Sequence, residues 1–176
     1  MKAPSPDEFQ RGYKEFQRQE KRDAMYKVVP FLAAYSWGKP AETADSLSLL
    51  LLTWNQALHR YNSFDFDRLE KCIAGNMSLL EKYRIRSILY YSPSDDHDIS
   101  YLFQEFLDAL KISDGKKAGT QSSVSTAKAL LLLLPSYFTL WYYEIANTYG
   151  CNYPHNPAAK YLKFIGIYKQ TAVIPQ

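Results

Sequence analysis

The sequence predicts an all-α protein: one globular domain over residues 1–176, with roughly seven helices around a buried central helix pair. Three observations predict it. Apolar residues recur at spacings of three and four through most of the chain, which gathers them on one side of a helix. The stretch that alternates roughly like a strand, Arg84-Ile85-Arg86-Ser87-Ile88-Leu89-Tyr90-Tyr91, has no partner strand and reads as an irregular or short helical connector. Residues 123–150 are apolar nearly all round, as expected of helices enclosed on every side.

That last stretch supplies the central pair, residues 124–134 and 136–149, divided at Pro135 and expected to be mostly buried. Ser122 or Ser123 offers a capping hydroxyl, and Leu130 to Leu134 fill the last turn of the first half. Pro135 withholds an amide donor and suits the first position of a new helix. Gly150 is a natural left-handed stop for the second half.

The other elements follow in order. Ser5-Pro6-Asp7-Glu8 is a helix start, and Phe9, Tyr13 and Phe16 give that helix a narrow apolar stripe. The mixed charges from Arg18 to Asp23 form a solvated face, and the helix either continues or restarts over residues 24–35, with an interruption at Pro30. Trp37-Gly38-Lys39-Pro40 is a turn. Thr43 or Asp45 opens a second long helix reaching Tyr61, with Leu47, Leu50, Leu51, Trp54 and Leu58 on one side. Asp65 caps a third, in which Phe66, Leu69, Ile73, Met77, Leu80 and Tyr83 keep helical spacing straight through Gly75. The acids of Ser92-Pro93-Ser94-Asp95-Asp96-His97-Asp98 complement a helix dipole rather than assemble a metal site. Ile99, Leu102, Phe103, Phe106, Leu107 and Leu110 mark the buried face that follows. Residues 112–122 form a long polar loop, expected to be mobile. After a turn at residues 151–156, Asn156-Pro157 starts a last helix with Tyr161, Leu162, Ile165 and Tyr168 inward and a frayed tail from Thr171.

Composition narrows the classes of function. A net charge of +3 gives no strong nucleic-acid footprint by itself. Cys72 and Cys151 are too few for a disulfide scaffold, belong to no zinc spacing, and read as reduced thiols. The charged N-terminus does not read as a secretion signal, and the leucine runs are too short to span a bilayer, so a soluble cytoplasmic protein is expected. Fifteen tyrosines suit interfaces as well as cores. His59, His97 and His155 occupy no recognised nucleophile context, the glycines near Lys116 and Lys117 form no phosphate-binding motif, and no cofactor is implied.

One order of features resembles the second half of the helix-hairpin-helix DNA glycosylases. It comprises Thr126-Ala127, an aliphatic run, Phe138-Thr139-Leu140 and then a new helix. In that family a glycine-rich hairpin ends in Thr-Ala, and a later turn delivers a catalytic aspartate. The resemblance covers about thirty residues; the loop with Gly115 and Gly119 stands where the hairpin would be. This chain departs from the pattern at the chemistry. Gln121-Ser122-Ser123-Val124 replaces the alternating glycines, and Ser125 stands where lyase members carry lysine. Tyr142 or Tyr143 occupies the aspartate's position, with Glu144 the nearest acid.

Two functions follow. The first is a non-catalytic module binding nucleic acid or a partner protein through Lys116, Lys117, Lys128, Trp141, Tyr142 and Tyr143, with Tyr149 nearby. The second is a degenerate base-excision enzyme using Glu144, which would need that carboxylate in a cleft deep enough for a flipped base.

Overall fold

In the computed structural model, which describes residues 5–19, 24–54, 63–152 and 155–172, regular apolar spacing becomes helix. Nine α-helices lie among the described residues: α1 (Pro6–Gln19), α2 (Ala24–Tyr35), α3 (Pro40–Trp54), α4 (Phe66–Gly75), α5 (Met77–Arg84), α6 (Asp96–Ala109), α7 (Ser123–Leu133), α8 (Tyr143–Thr148) and α9 (Pro157–Ala172). No strand occurs among them, only a single antiparallel bridge between Phe64 and Ile112. The domain is all-α. No described helix is long and apolar enough to cross a membrane.

Helix α7 is the hub, and its sequence explains why. From Ser125 to Leu133 every side chain is buried, so the helix must be covered by neighbours on several sides. Helices α2, α3 and α6 provide that cover, α4 packs on α3 and α6, and α9 closes the far side of α6. Ser122 caps α7 as expected, accepting the amide of Ser125 at 3.2 Å. Asp65 caps α4 by accepting the Arg68 amide at 3.1 Å.

Several expectations are corrected. The helix expected to run through Gly75 stops there. The Asn76 side chain donates to the Cys72 carbonyl at 2.8 Å, competing with the backbone ladder, and α5 begins at the next residue. Helix α2 runs through Pro30 without interruption, and α3 starts at Pro40, ahead of Thr43. Its expected end at Tyr61, with Leu58 and His59, lies outside the described residues, as do the side chains of Phe9, Tyr13, Phe16 and Trp54. Phe66 and Tyr168, expected inward, are exposed, and Phe164 is buried instead. Both cysteines are free thiols.

The largest correction concerns residues 136–149. Only α8 is helical there; residues 134–142 make a turn and then run irregularly. Tyr137, Phe138, Thr139 and Trp141 are nevertheless buried. A buried non-helical backbone needs other partners, and Tyr161 of α9 supplies them. Its hydroxyl donates to the Thr139 carbonyl at 2.9 Å and accepts the Thr139 amide at 3.2 Å. The same ring packs on Trp141, Phe103 and Phe138. One phenol thus takes the place of two helical hydrogen bonds.

Two stability predictions follow from this packing. Leu130→Ala, at a fully buried site in the main cluster, should cost about 2–5 kcal/mol in urea melts; Leu131→Ala, at a buried site outside that cluster, should cost less. Tyr161→Phe keeps the ring and strands both polar groups of Thr139, so it should lose about 1–3 kcal/mol. A melt unchanged by Tyr161→Phe would show that water replaces the phenol.

Candidate functional site

The loop between α6 and α7 is an anchored hairpin rather than the mobile segment the sequence suggests. The Ile112 amide donates to Thr120 O and the Gly119 amide to Ile112 O, both at 2.9 Å, which closes the loop on itself. A tight 3₁₀ turn at Gly115–Lys117 sits inside it. Gly115 and Gly119 have φ of 70° and 85°, a left-handed backbone that other residues adopt only with strain. The loop base is fastened as well. Ser113 donates both its amide and its hydroxyl to Ser63 O at 2.9 Å, and Ile112 is buried. Arg68 donates Nε to Ala109 O at 3.0 Å and Nη2 to Lys111 O, placing a cation at the C-terminal end of α6. Lys116 and Lys117 are exposed at the hairpin tip.

The remaining candidate residues separate into surface and interior. Tyr142 and Tyr143 are exposed at the start of α8, with Glu144 exposed beside them. Trp141 is fully buried against Phe103 and Tyr161, so its ring offers no platform for stacking. Lys128 is buried on α7, and that burial pushes its ammonium below the usual lysine range. Tyr149 is half-buried and packs on Phe164. The sequence-predicted set therefore loses Trp141 and Lys128 from any surface, for the same reason: α7 and the segment after it form the centre of the core. A groove of about 190 Å3 lies between the end of α2 and the end of α7, and Glu144 is not among its lining residues.

A second cluster, which sequence reasoning took for dipole complement alone, surrounds Asp95. Its carboxylate is buried yet accepts from several donors: Arg86 Nη1 at 2.6 Å, Arg86 Nη2 at 2.9 Å, the Tyr137 hydroxyl at 3.0 Å and the Ser92 amide at 3.0 Å. The Tyr83 hydroxyl lies within reach of both Asp95 and Asp98, and Lys82 pairs with Asp98 at 2.6 Å. Tyr91 donates to Asp96 at 2.8 Å. Burial opposes the charge on Asp95, but the Arg86 fork and the other donors outweigh it and hold the carboxyl well below its ordinary range. Burial, reinforced by the neighbouring carboxylates, pushes the Tyr83 and Tyr137 hydroxyls upward. Asp95, Asp98, Arg86, Tyr83, Tyr91 and Tyr137 are each stabilised in the resting protonation state, as suits a structural clamp. The structure adds a reciprocal Ser92–Asp95 cap, whose three-residue spacing is the one local signal of this cluster; the Arg86 and Tyr137 contacts, made through tertiary folding, leave no such signal.

Comparison with known proteins brings no relative: no family model matches the chain, and no curated protein or solved structure matches it.

The clamp gives a pH prediction. A carboxyl depressed by folding contributes stability that is complete above its unfolded pKa, about 3.9, and is lost as pH falls toward its folded value. Acid should therefore lower the melting temperature progressively below about pH 4. Asp95→Asn should remove that component and destabilise at neutral pH by about 3 kcal/mol, the lower end for a broken buried pair because Arg86 is partly exposed. An unchanged acid profile in Asp95→Asn would assign the sensitivity to another group.

Proposed function

We propose that this protein is a non-catalytic helical module that binds nucleic acid through the α6–hairpin–α7 unit. The observation that carries the reading is the closed, anchored hairpin that holds Lys116 and Lys117 outward. A fixed loop does not lose its own conformational freedom when a phosphate docks, so even two cations become useful. The loop also stands where the sequence resemblance would put the family's hairpin, although Gln121-Ser122-Ser123-Val124 replaces that hairpin's alternating glycines. Contacts of this kind go to the phosphate backbone and position the ligand without reading its sequence. Tyr142 and Tyr143, exposed at the start of α8, add rings on which unpaired bases can stack.

The base-excision alternative gains nothing from the site. Glu144 is an exposed side chain, and a catalytic carboxylate in such chemistry works from a dry, shaped pocket. The tyrosines at the aspartate's position supply no charge for an oxocarbenium-like centre.

Fluorescence anisotropy with single- and double-stranded oligonucleotides tests the reading. Binding should be micromolar or weaker at physiological salt, with a log–log salt slope of about −1.4 to −1.8, since two ion pairs are all that the hairpin lysines provide. Lys116→Glu combined with Lys117→Glu should abolish it while the melting temperature stays put. Absence of any salt-sensitive association in the wild-type protein would refute the reading. Release of a free base that disappears in Glu144→Gln would replace it with the enzymatic one.

A further inference from the structure

A second surface, independent of the hairpin, lies between the C-terminal end of α2 and the end of α7. The groove there measures about 190 Å3, with Ala33, Leu132, Leu133 and Pro135 providing apolar surface and Trp37 and Arg84 among its lining. Small-molecule and cofactor sites are usually larger, about 300–1,000 Å3, so this one suits a bulky side chain or two. The Arg84 guanidinium lies 4.3 Å over the Trp37 ring, and the Trp37 indole N–H is held by Glu81. Stacking leaves the edge of the guanidinium fork available for a planar anion. Among the described residues no carboxylate lies within ion-pair distance of Arg84, in contrast to Arg86, which clasps Asp95.

The surroundings are unusually apolar for a surface. Phe31 and Tyr35, one turn apart on α2, are 70% and 75% exposed, and Ile85, next to Arg84, is 88% exposed. Phe31 and Tyr35 share a helix face adjacent to Ala34, which also lines the groove. Bulky apolar side chains clustered in water mark an interaction surface. We infer that this groove docks an acidic peptide segment of a partner protein, with an aromatic or aliphatic side chain in the groove and a neighbouring carboxylate on Arg84. Charge selects this occupant. One cation amid apolar side chains is too little for a phosphate backbone. In a two-fold pairing with a second copy the partner of Arg84 would have to come from this same patch, and the groove's lining holds no carboxylate.

The test uses the full-length, isotope-labelled protein and two fluorescein-labelled octapeptides. One alternates aspartate with leucine and has a central phenylalanine; the other carries lysine in place of each aspartate. The acidic peptide should bind at roughly 0.1 mM, the strength expected of a single anchor and a single ion pair. It should shift the Trp37 indole resonance and those of residues 84–89 and 132–136. The lysine peptide should bind at least about tenfold more weakly, the loss of one favourable charge contact and gain of a repulsive one. Arg84→Glu should invert that preference, and Ala34→Trp, which fills the groove from an exposed position, should block both peptides. Both variants should melt like the wild type. Equal binding of the two peptides, or shifts confined to the Lys116–Lys117 hairpin, would overturn the inference. So would concentration-dependent self-association that Ile85→Asp abolishes, in favour of a second copy. None of these outcomes depends on whether the hairpin binds nucleic acid.

Discussion

A single buried negative charge organises this protein. Asp95 opens α6, Arg86 lies in the connector after α5, Tyr83 belongs to α5, and Tyr137 lies just past α7. A carboxylate taken out of water must be matched by donors, so each of these segments has one permitted position around it. Tyr137 then determines where Phe138, Thr139 and Trp141 enter the core, and α9 is shaped to receive them. A second link runs parallel to this one: the Ile88 amide donates to Ser136 O at 2.9 Å, tying the connector to the same turn. The hydrophobic mass is contributed mainly by α7, but the orientation of what surrounds it is set by polar geometry.

The tyrosines show how one composition serves opposite ends. Tyr83, Tyr137 and Tyr161 are buried with their hydroxyls engaged, whereas Tyr90, Tyr142 and Tyr143 stand in water. A phenol is apolar enough to fill a core and polar enough to replace a missing backbone partner. That dual character lets Thr139 leave the helical ladder with its amide and carbonyl both paired. It also makes tyrosine abundance a poor guide to interfaces until the folded positions are known.

What was legible in the sequence was what depends on local spacing. The buried face of α6, the Ser122 and Asp65 caps and the all-round burial of α7 are properties of a few neighbouring residues. The Asn76 break was hidden because the apolar stripe continues across it, and its local mark is one asparagine whose side chain shares Cys72 O with its own backbone amide. The loss of helix before Tyr143 was hidden because its cause, Tyr161, lies 22 positions away from Thr139. In the candidate site, the exposure of Lys116 and Lys117 could be read from their polar, glycine-flanked context. The burial of Lys128 followed from the same all-round apolarity that buries α7, but its charge reads as a surface mark and points the other way.

The phenol of Tyr161 has a consequence for how the chain is completed during synthesis. Until α9 leaves the ribosome, the Thr139 amide and carbonyl lack their partner and Trp141 and Phe103 lack one wall of their pocket. The amino-terminal helices can form from local contacts alone, yet the core cannot close before α9 is made. Lys169 reinforces the point, reaching back 78 positions to donate to Tyr91 O at 2.6 Å. Such long loops are closed late, against the entropy of the intervening chain. A nascent polypeptide halted before Pro157 would display its most aromatic surface to chaperones, and so would any truncation that removes α9.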